Sequence, residues 1–208
     1  MPVPKKILNH LDNNKVKYEV LEHKTVYTAS DKAGTLHTDP KAVAKTAVLK
    51  MDNKDYAIAL VPADKLLDKQ KIKKAINTQR KKSQEKAFKK VDFANERWMN
   101  KNIDGKVGAT PPFGQIWQLP TLVDNTLLKQ KKVFVNGGDY NTSIQLTNAA
   151  FTKSLGDFLK GSFSAAKPKK KKKVTPKKKP KKKTTPKKKT PARRKTTSQR
   201  KTSPKKRK

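Results

Sequence analysis

The stretch VAKTAVLKMDNKDYAIALVPA, residues 43–63, contains two strand-like runs. Residues 43–51 and 56–63 are rich in aliphatic and β-branched side chains, and the polar Asp52-Asn53-Lys54-Asp55 between them reads as a hairpin turn. Upstream, Ile7, Leu8 and Leu11 stand at helical spacing behind Pro4, a good first-turn residue, which predicts a helix over 4–13. Tyr18 and Val20 alternate with polar residues and predict a strand over 17–22, and Thr28 or Ser30 caps a short helix reaching Leu36. Downstream, residues 64–77 and 83–101 carry apolar side chains at helical spacing. Residues 105–115, with two Pro and three Gly, form a rigid loop. Strands follow over 116–123, 132–138 and 142–146, then a helix over 147–159 bearing Phe151, Leu155, Phe158 and Leu159. Six or so short strands with helices at both ends and in the middle define an α/β domain. The order lacks regular βαβ alternation, which argues against a doubly wound nucleotide fold.

Charge divides the chain into two materials. Of its 53 Lys and Arg, 24 fall in residues 167–208, where there is no Asp or Glu. The net charge of +37 therefore splits into +13 on the preceding residues and +24 on the tail. The tail is nearly devoid of apolar side chains and cannot bury enough surface to offset the entropy of ordering, so disorder is expected there. This places a globular body at 1–163 and a basic tail at 164–208. Polyanions are the expected partners of such a chain, with nucleic acid first and an anionic membrane surface second. Cysteine is absent, which excludes disulfides, thiolate catalysis and thiolate metal ligands. No apolar run reaches the roughly 20 residues of a membrane span, and the first residues lack the apolar core of a secretory signal. A soluble, cytoplasmic protein is expected.

Familiar catalytic signatures are missing: no Walker loop, no HExxH, no nucleophile elbow. His10, His23 and His37 have no ligand spacing, so neither a metal nor another cofactor is expected. Two features stand out. The loop Gly108-Ala109-Thr110-Pro111-Pro112-Phe113-Gly114 holds its backbone stiffly, so its N–H groups can point at an oxyanion or a phosphate; taken alone it reads more readily as a structural turn between a helix and a strand. Lys45 interrupts an apolar strand, on the face of Val43, Ala47 and Leu49. A lysine there is an anion hook within a pocket or a gatekeeper charge on a sheet edge.

The segments AKTAVL (44–49), GATPPFG (108–114), IWQLPTLVD (116–124) and VFVNGGDYNTSIQL (133–146), with Phe151 following, together resemble the YbaK/EbsC family. These are the prolyl-tRNA-synthetase-associated, editing-type aminoacyl-tRNA deacylases. The similarity runs in order from about residue 5 to 159, and the combination of segments is its specific feature. The resemblance implies a mixed, barrel-like sheet flanked by helices, a pocket for the aminoacylated 3′ end of a transfer RNA, and hydrolysis of the ester of a mischarged amino acid. It assigns the catalytic positions to Lys45, Gly108 and Pro112. Thr46, Thr110, Pro111, Phe113, Gly114, Asp124, Gly138 and Tyr140 fall at substrate-binding positions. Many relatives have an acidic residue before the loop, where Lys106 and Val107 stand here, and a His near Tyr140. Lys45-Thr46 resembles the YbaK-like branch rather than the alanine-specific one.

The tail repeats Thr-Pro-Lys-Lys-Lys at 175–179 and 185–189, with looser copies at 190–194 and 203–206. Such units resemble linker-histone tails, which neutralise phosphates without reading bases. Lys177, Lys178, Lys187, Lys188, Arg193, Arg194, Lys205 and Lys206 are the expected nucleic-acid contacts. Charge alone leaves the polymer open between transfer RNA, ribosomal RNA and DNA. Two functions are consistent with the sequence: an editing hydrolase whose tail raises affinity for RNA, or a non-catalytic DNA- or RNA-binding protein with a degenerate editing body.

Overall fold

The computed structural model describes residues 3–52 and 54–167. Helix α1 (Lys5–Asn13) starts at Pro4 and buries Ile7 and Leu11. Strand β1 (Tyr18–Glu22) precedes α2 (Ala29–Thr35), which Thr28 caps by accepting from the Asp31 N–H at 3.1 Å. The hairpin is β2 (Ala44–Met51) and β3 (Asp55–Pro62), with Lys45 opposite Val61 and Leu49 opposite Ala57. Asp52 takes a φ of +46° at the turn. Next come β4 (Lys65–Leu67), α3 (Lys69–Lys82), β5 (Val91–Phe93) and α4 (Glu96–Asn102). After the proline loop the chain runs through β6 (Thr121–Asp124), β7 (Lys132–Asn136), β8 (Thr142–Thr147), α5 (Asn148–Leu155), β9 (Phe158–Gly161) and β10 (Ser164–Ala166).

A mixed five-stranded sheet, ordered β5-β2-β3-β6-β9, forms the centre, with β3, β6 and β9 mutually parallel. An antiparallel sheet, β1-β8-β7, meets it through a bridge between Val43 and Phe134. A small pair, β4-β10, completes the set. The expected barrel-like curvature therefore takes the form of open sheets, with β5 and β9 as edges. Period-2 alternation along the hairpin divides the core. Ala44, Val48, Ile58 and Leu60 join the cluster beneath α1 and α5, while Leu49, Met51, Ala57, Ala59 and Val61 join the cluster beneath α3.

Five local expectations change. The helix expected over 64–77 begins later, because Asp68 caps α3 by accepting from the Gln70 and Lys71 N–H groups. Leu66 and Leu67 pair instead with β10. The helix expected over 83–101 is confined to α4: residues 83–90 are not helical, and Asp52 accepts from the Lys89 and Lys90 N–H groups where 91–93 join the edge of β2. The strand expected over 116–123 starts only at Thr121, after a short 3-10 helix, Gly114–Trp117. The helix expected to reach 159 stops at Leu155, and Phe158 and Leu159 lie in β9. The globular body also extends past 163, since Ser164–Ala166 is a paired strand.

Candidate active site

A cavity of about 680 Å³ opens between β2, the start of α2, the proline loop and the ends of β4 and β5. Lys45 and Thr46 line it from β2, Lys32 from α2, Gly108, Ala109 and Thr110 from the loop, and Asn136 from β7. Lys45 is half-buried, and its Nζ donates to the Lys65 carbonyl at 2.8 Å. Burial, then the charge of Lys167, push its amine below the ordinary lysine value, and Asp64 opposes them. Among the described residues no carboxylate lies within ion-pair distance of Lys45. Along β2 the β3 ladder is continuous, whereas β5 pairs only with Leu49–Met51, so Lys45 stands where β2 has one strand neighbour and its side chain lines the cavity.

Sequence reasoning missed Lys32. Its side chain is buried at 4% exposure, and its Nζ donates to Asn136 Oδ1 at 2.6 Å. The Asn136 Nδ2 in turn donates to the Thr110 carbonyl at 3.1 Å. This relay ties α2 and β7 to the proline loop. Burial pushes the Lys32 amine down to about 8. A signal existed: Lys32 shares the inward face of α2 with Ala29, Ala33 and Leu36, at spacings of three and four.

The cavity offers further unused donors. Thr46 Oγ1 is buried without a partner. In the loop, the Ala109 N–H is committed to the Lys106 carbonyl at 2.9 Å. The Gly108 and Thr110 N–H groups have no acceptor among the described residues. Gly108 takes a φ of +87°, a conformation that favours glycine. Tyr140 also lines the cavity, pinned by a hydrogen bond from its hydroxyl to the Val107 carbonyl at 2.6 Å. Lys106 pairs with Asp139 at 3.0 Å and lies 5.4 Å from the Tyr140 ring centre.

Pro111, Pro112, Phe113, Gly114, Asp124 and Gly138 do not line the cavity. Phe113 is fully buried in the core, 5.4 Å from the His10 ring. Gly114 cannot carry a Cβ, which would strike the Leu119 carbonyl and Thr121 Oγ1. Gly138 has a φ of +100° and touches Pro4 and Gly105. Asp124 is buried and accepts from the Phe163 N–H at 2.9 Å and the Ser164 hydroxyl at 2.8 Å. Each of these shapes the scaffold around the cavity. The tail residues named above, Lys177 to Lys206, lie outside the described residues.

A second cavity, about 720 Å³, lies between β3, β6, β9 and the end of α3. Its arginine, Arg80, is already paired with Glu85 at 2.9 Å and packed over Phe88. A buried amine without a carboxylate, Lys32, and an unpartnered buried hydroxyl, Thr46, distinguish the first cavity. Among the described residues no cluster of His, Asp or Glu could hold a metal ion, and no helix is long and apolar enough to cross a membrane.

A mixed α/β domain with a donor-rich cavity beside a glycine-proline loop has counterparts among solved structures. One is a hypothetical protein, APE2540, with a TM-score of 0.63 and 18% identity over 77% of this chain and 99% of that one. Another, described as a candidate trans-editing enzyme for prolyl tRNA synthetase, has a TM-score of 0.62 and 18% identity over 80% of this chain and 99% of that one. Both show the fold. The aminoacyl-tRNA editing domain family matches residues 23–154, and the chain belongs to that family. The implied substrate class is an aminoacylated tRNA.

Proposed function

We propose that the protein is an aminoacyl-tRNA deacylase acting in trans on mischarged tRNA of the prolyl type. The observation that carries this reading is one cavity holding two lysine amines without carboxylate partners, an unpaired Thr46 hydroxyl and two uncommitted loop N–H groups. Such an excess of donors suits a ligand rich in acceptors, and an aminoacyl ester beside a terminal phosphate is one. Lys45 holds the phosphate or orients the ester as a fixed charge. The Gly108 and Thr110 N–H groups stabilise the tetrahedral oxyanion. Water attacks the carbonyl carbon, and the C–O bond to the ribose breaks. The ribose oxygen takes a proton, and the amino acid leaves as its carboxylate. The neighbouring ribose hydroxyl relays the proton, because the cavity presents neither a cysteine nor a Ser–His pair. The cavity wall selects amino acids by size, since one methylene is worth only about 1–3 kcal/mol.

The test is hydrolysis of prolyl-tRNA charged with Ala, Cys, Ser or Thr. Lys45→Ala should lower kcat/KM at least a hundredfold with an unchanged melting temperature. Near-normal turnover would remove Lys45 from the mechanism. If the native chain turns over no member of the panel, the alternative gains: nucleic-acid binding through the tail, by a body without activity.

A further inference from the structure

Apolar side chains scattered singly over a surface are ordinary. Here their placement is not scattered. Among the described residues four large hydrophobic side chains are exposed: Val20, Tyr27, Leu66 and Phe93. Three of the four line the mouth of the lysine-bearing cavity. They reach it from separate elements, Tyr27 ahead of α2, Leu66 in β4 and Phe93 at the end of β5. The two rings are the more exposed, at 73% for Tyr27 and 58% for Phe93. Each ring has a neighbour. Tyr27 packs against Tyr140 at 5.0 Å and 58°, and the Tyr140 hydroxyl is tied to the Val107 carbonyl. Phe93 has the Lys69 ammonium 5.5 Å from its ring centre.

Positive charge surrounds these rings. Lys32 and Lys45 lie inside the cavity, and Glu96 at its exposed edge is the one carboxylate among the lining residues. Lys167, the last described residue, donates to Ser30 Oγ at 3.0 Å, beside Thr28 and Ala29 of the cavity wall. The chain that continues from that point holds 23 Lys and Arg and no acid. Exposed flat rings amid lysines suit a strand that carries phosphates outside and offers bases for stacking. An acidic peptide would match the charge and leave the rings unused.

We propose that Tyr27 and Phe93, with Leu66 between the cavity and solvent, form a stacking platform for the unpaired nucleotides adjoining the ester-bearing end of the substrate. This rests on the deacylase reading for its physiological meaning, but its test requires no turnover. The full chain is titrated with two labelled, unacylated RNA tetranucleotides, one intact and one with its two 3′-terminal nucleotides abasic. Charge is equal in the two, so contributions from lysines cancel in the ratio of affinities. Stacking of a base changes affinity about fivefold to a hundredfold. The native protein should prefer the intact strand at least tenfold. Tyr27→Ala and Phe93→Ala should each bring the ratio toward one while leaving the salt dependence unchanged. A ratio of one in the native protein, or a ratio unaltered in both variants, overturns the platform. So does equal displacement of the intact strand by polyglutamate at matched charge. A preference that survives a failed deacylation assay keeps the platform and sinks the enzyme; turnover with a ratio of one does the reverse.

Discussion

Removing an ammonium from water without a counter-charge is unfavourable, and Lys32 is in that position. Its amine sits at about 8 in the fold against an ordinary 10.5. Below pH 8 both folded and unfolded chains hold the proton, and the fold carries the whole penalty, roughly 3 kcal/mol by the linkage between pKa and stability. Between 8 and 10.5 the unfolded chain binds the proton that the folded one has released, so stability rises with pH. Lys32→Met keeps the stem and removes the charge. It should raise unfolding free energy at pH 7 by about 1–2 kcal/mol, after about 1 kcal/mol is lost with the bond to Asn136. The gain should fade as pH approaches 10, and deacylation should fall. Urea unfolding at pH 7 and 10 checks the first part. A loss of stability at pH 7 would mean that the amine is well accommodated without a ligand. Lys45 was legible because a charge interrupts an aliphatic strand. Lys32 was missed although it shares an inward face with Ala29, Ala33 and Leu36, because the partner that holds its amine, Asn136, lies 104 residues away.

Elements read best where a single local rule governed them. The hairpin of β2 and β3, the helix α1 and the cap at Thr28 follow from alternation, spacing and a capping hydroxyl. Elements failed where a distant partner set the boundary. Leu66 and Leu67 have helical spacing, yet they pair with Ala165 and Ser164, residues that composition assigned to the tail. Asp124 fastens this junction. Burial acts to raise its carboxyl, and hydrogen bonds from Thr126, Ser164 and Phe163 outweigh burial and hold it below the ordinary value. Its stabilisation is therefore present above pH 4 or so and is lost as pH falls through the lowered value. Asp124→Asn should cost about 1–3 kcal/mol at pH 7, and the difference from the native chain should vanish in acid. Ending the chain after residue 163 should lower the melting temperature, whereas ending it after Lys167 should not. Equal melting of the two truncations would show that β10 adds nothing.

At the scale of the whole molecule, the family match covers 23–154, and the segment from 168 onward was legible only as composition. Its 41 residues include 23 positive charges. We propose that a segment of this composition raises the local concentration of a polyanionic substrate without touching the ester. Its effect should then appear in KM and in salt dependence rather than in kcat. Eight engaged phosphates give a slope of log affinity on log salt near −7, by the rule of about 0.9 per contact on duplex. Between roughly 50 and 200 mM salt that slope removes about four orders of magnitude in affinity. A protein ending after Lys167 should keep its kcat, show a higher KM at low salt and lose most of the slope. Steady-state deacylation by both proteins across that range is the measurement. A kcat that falls with the tail would put tail residues against the reacting ester, and a slope unchanged by truncation would move the polyanion contacts onto α3 and the lysines of the body.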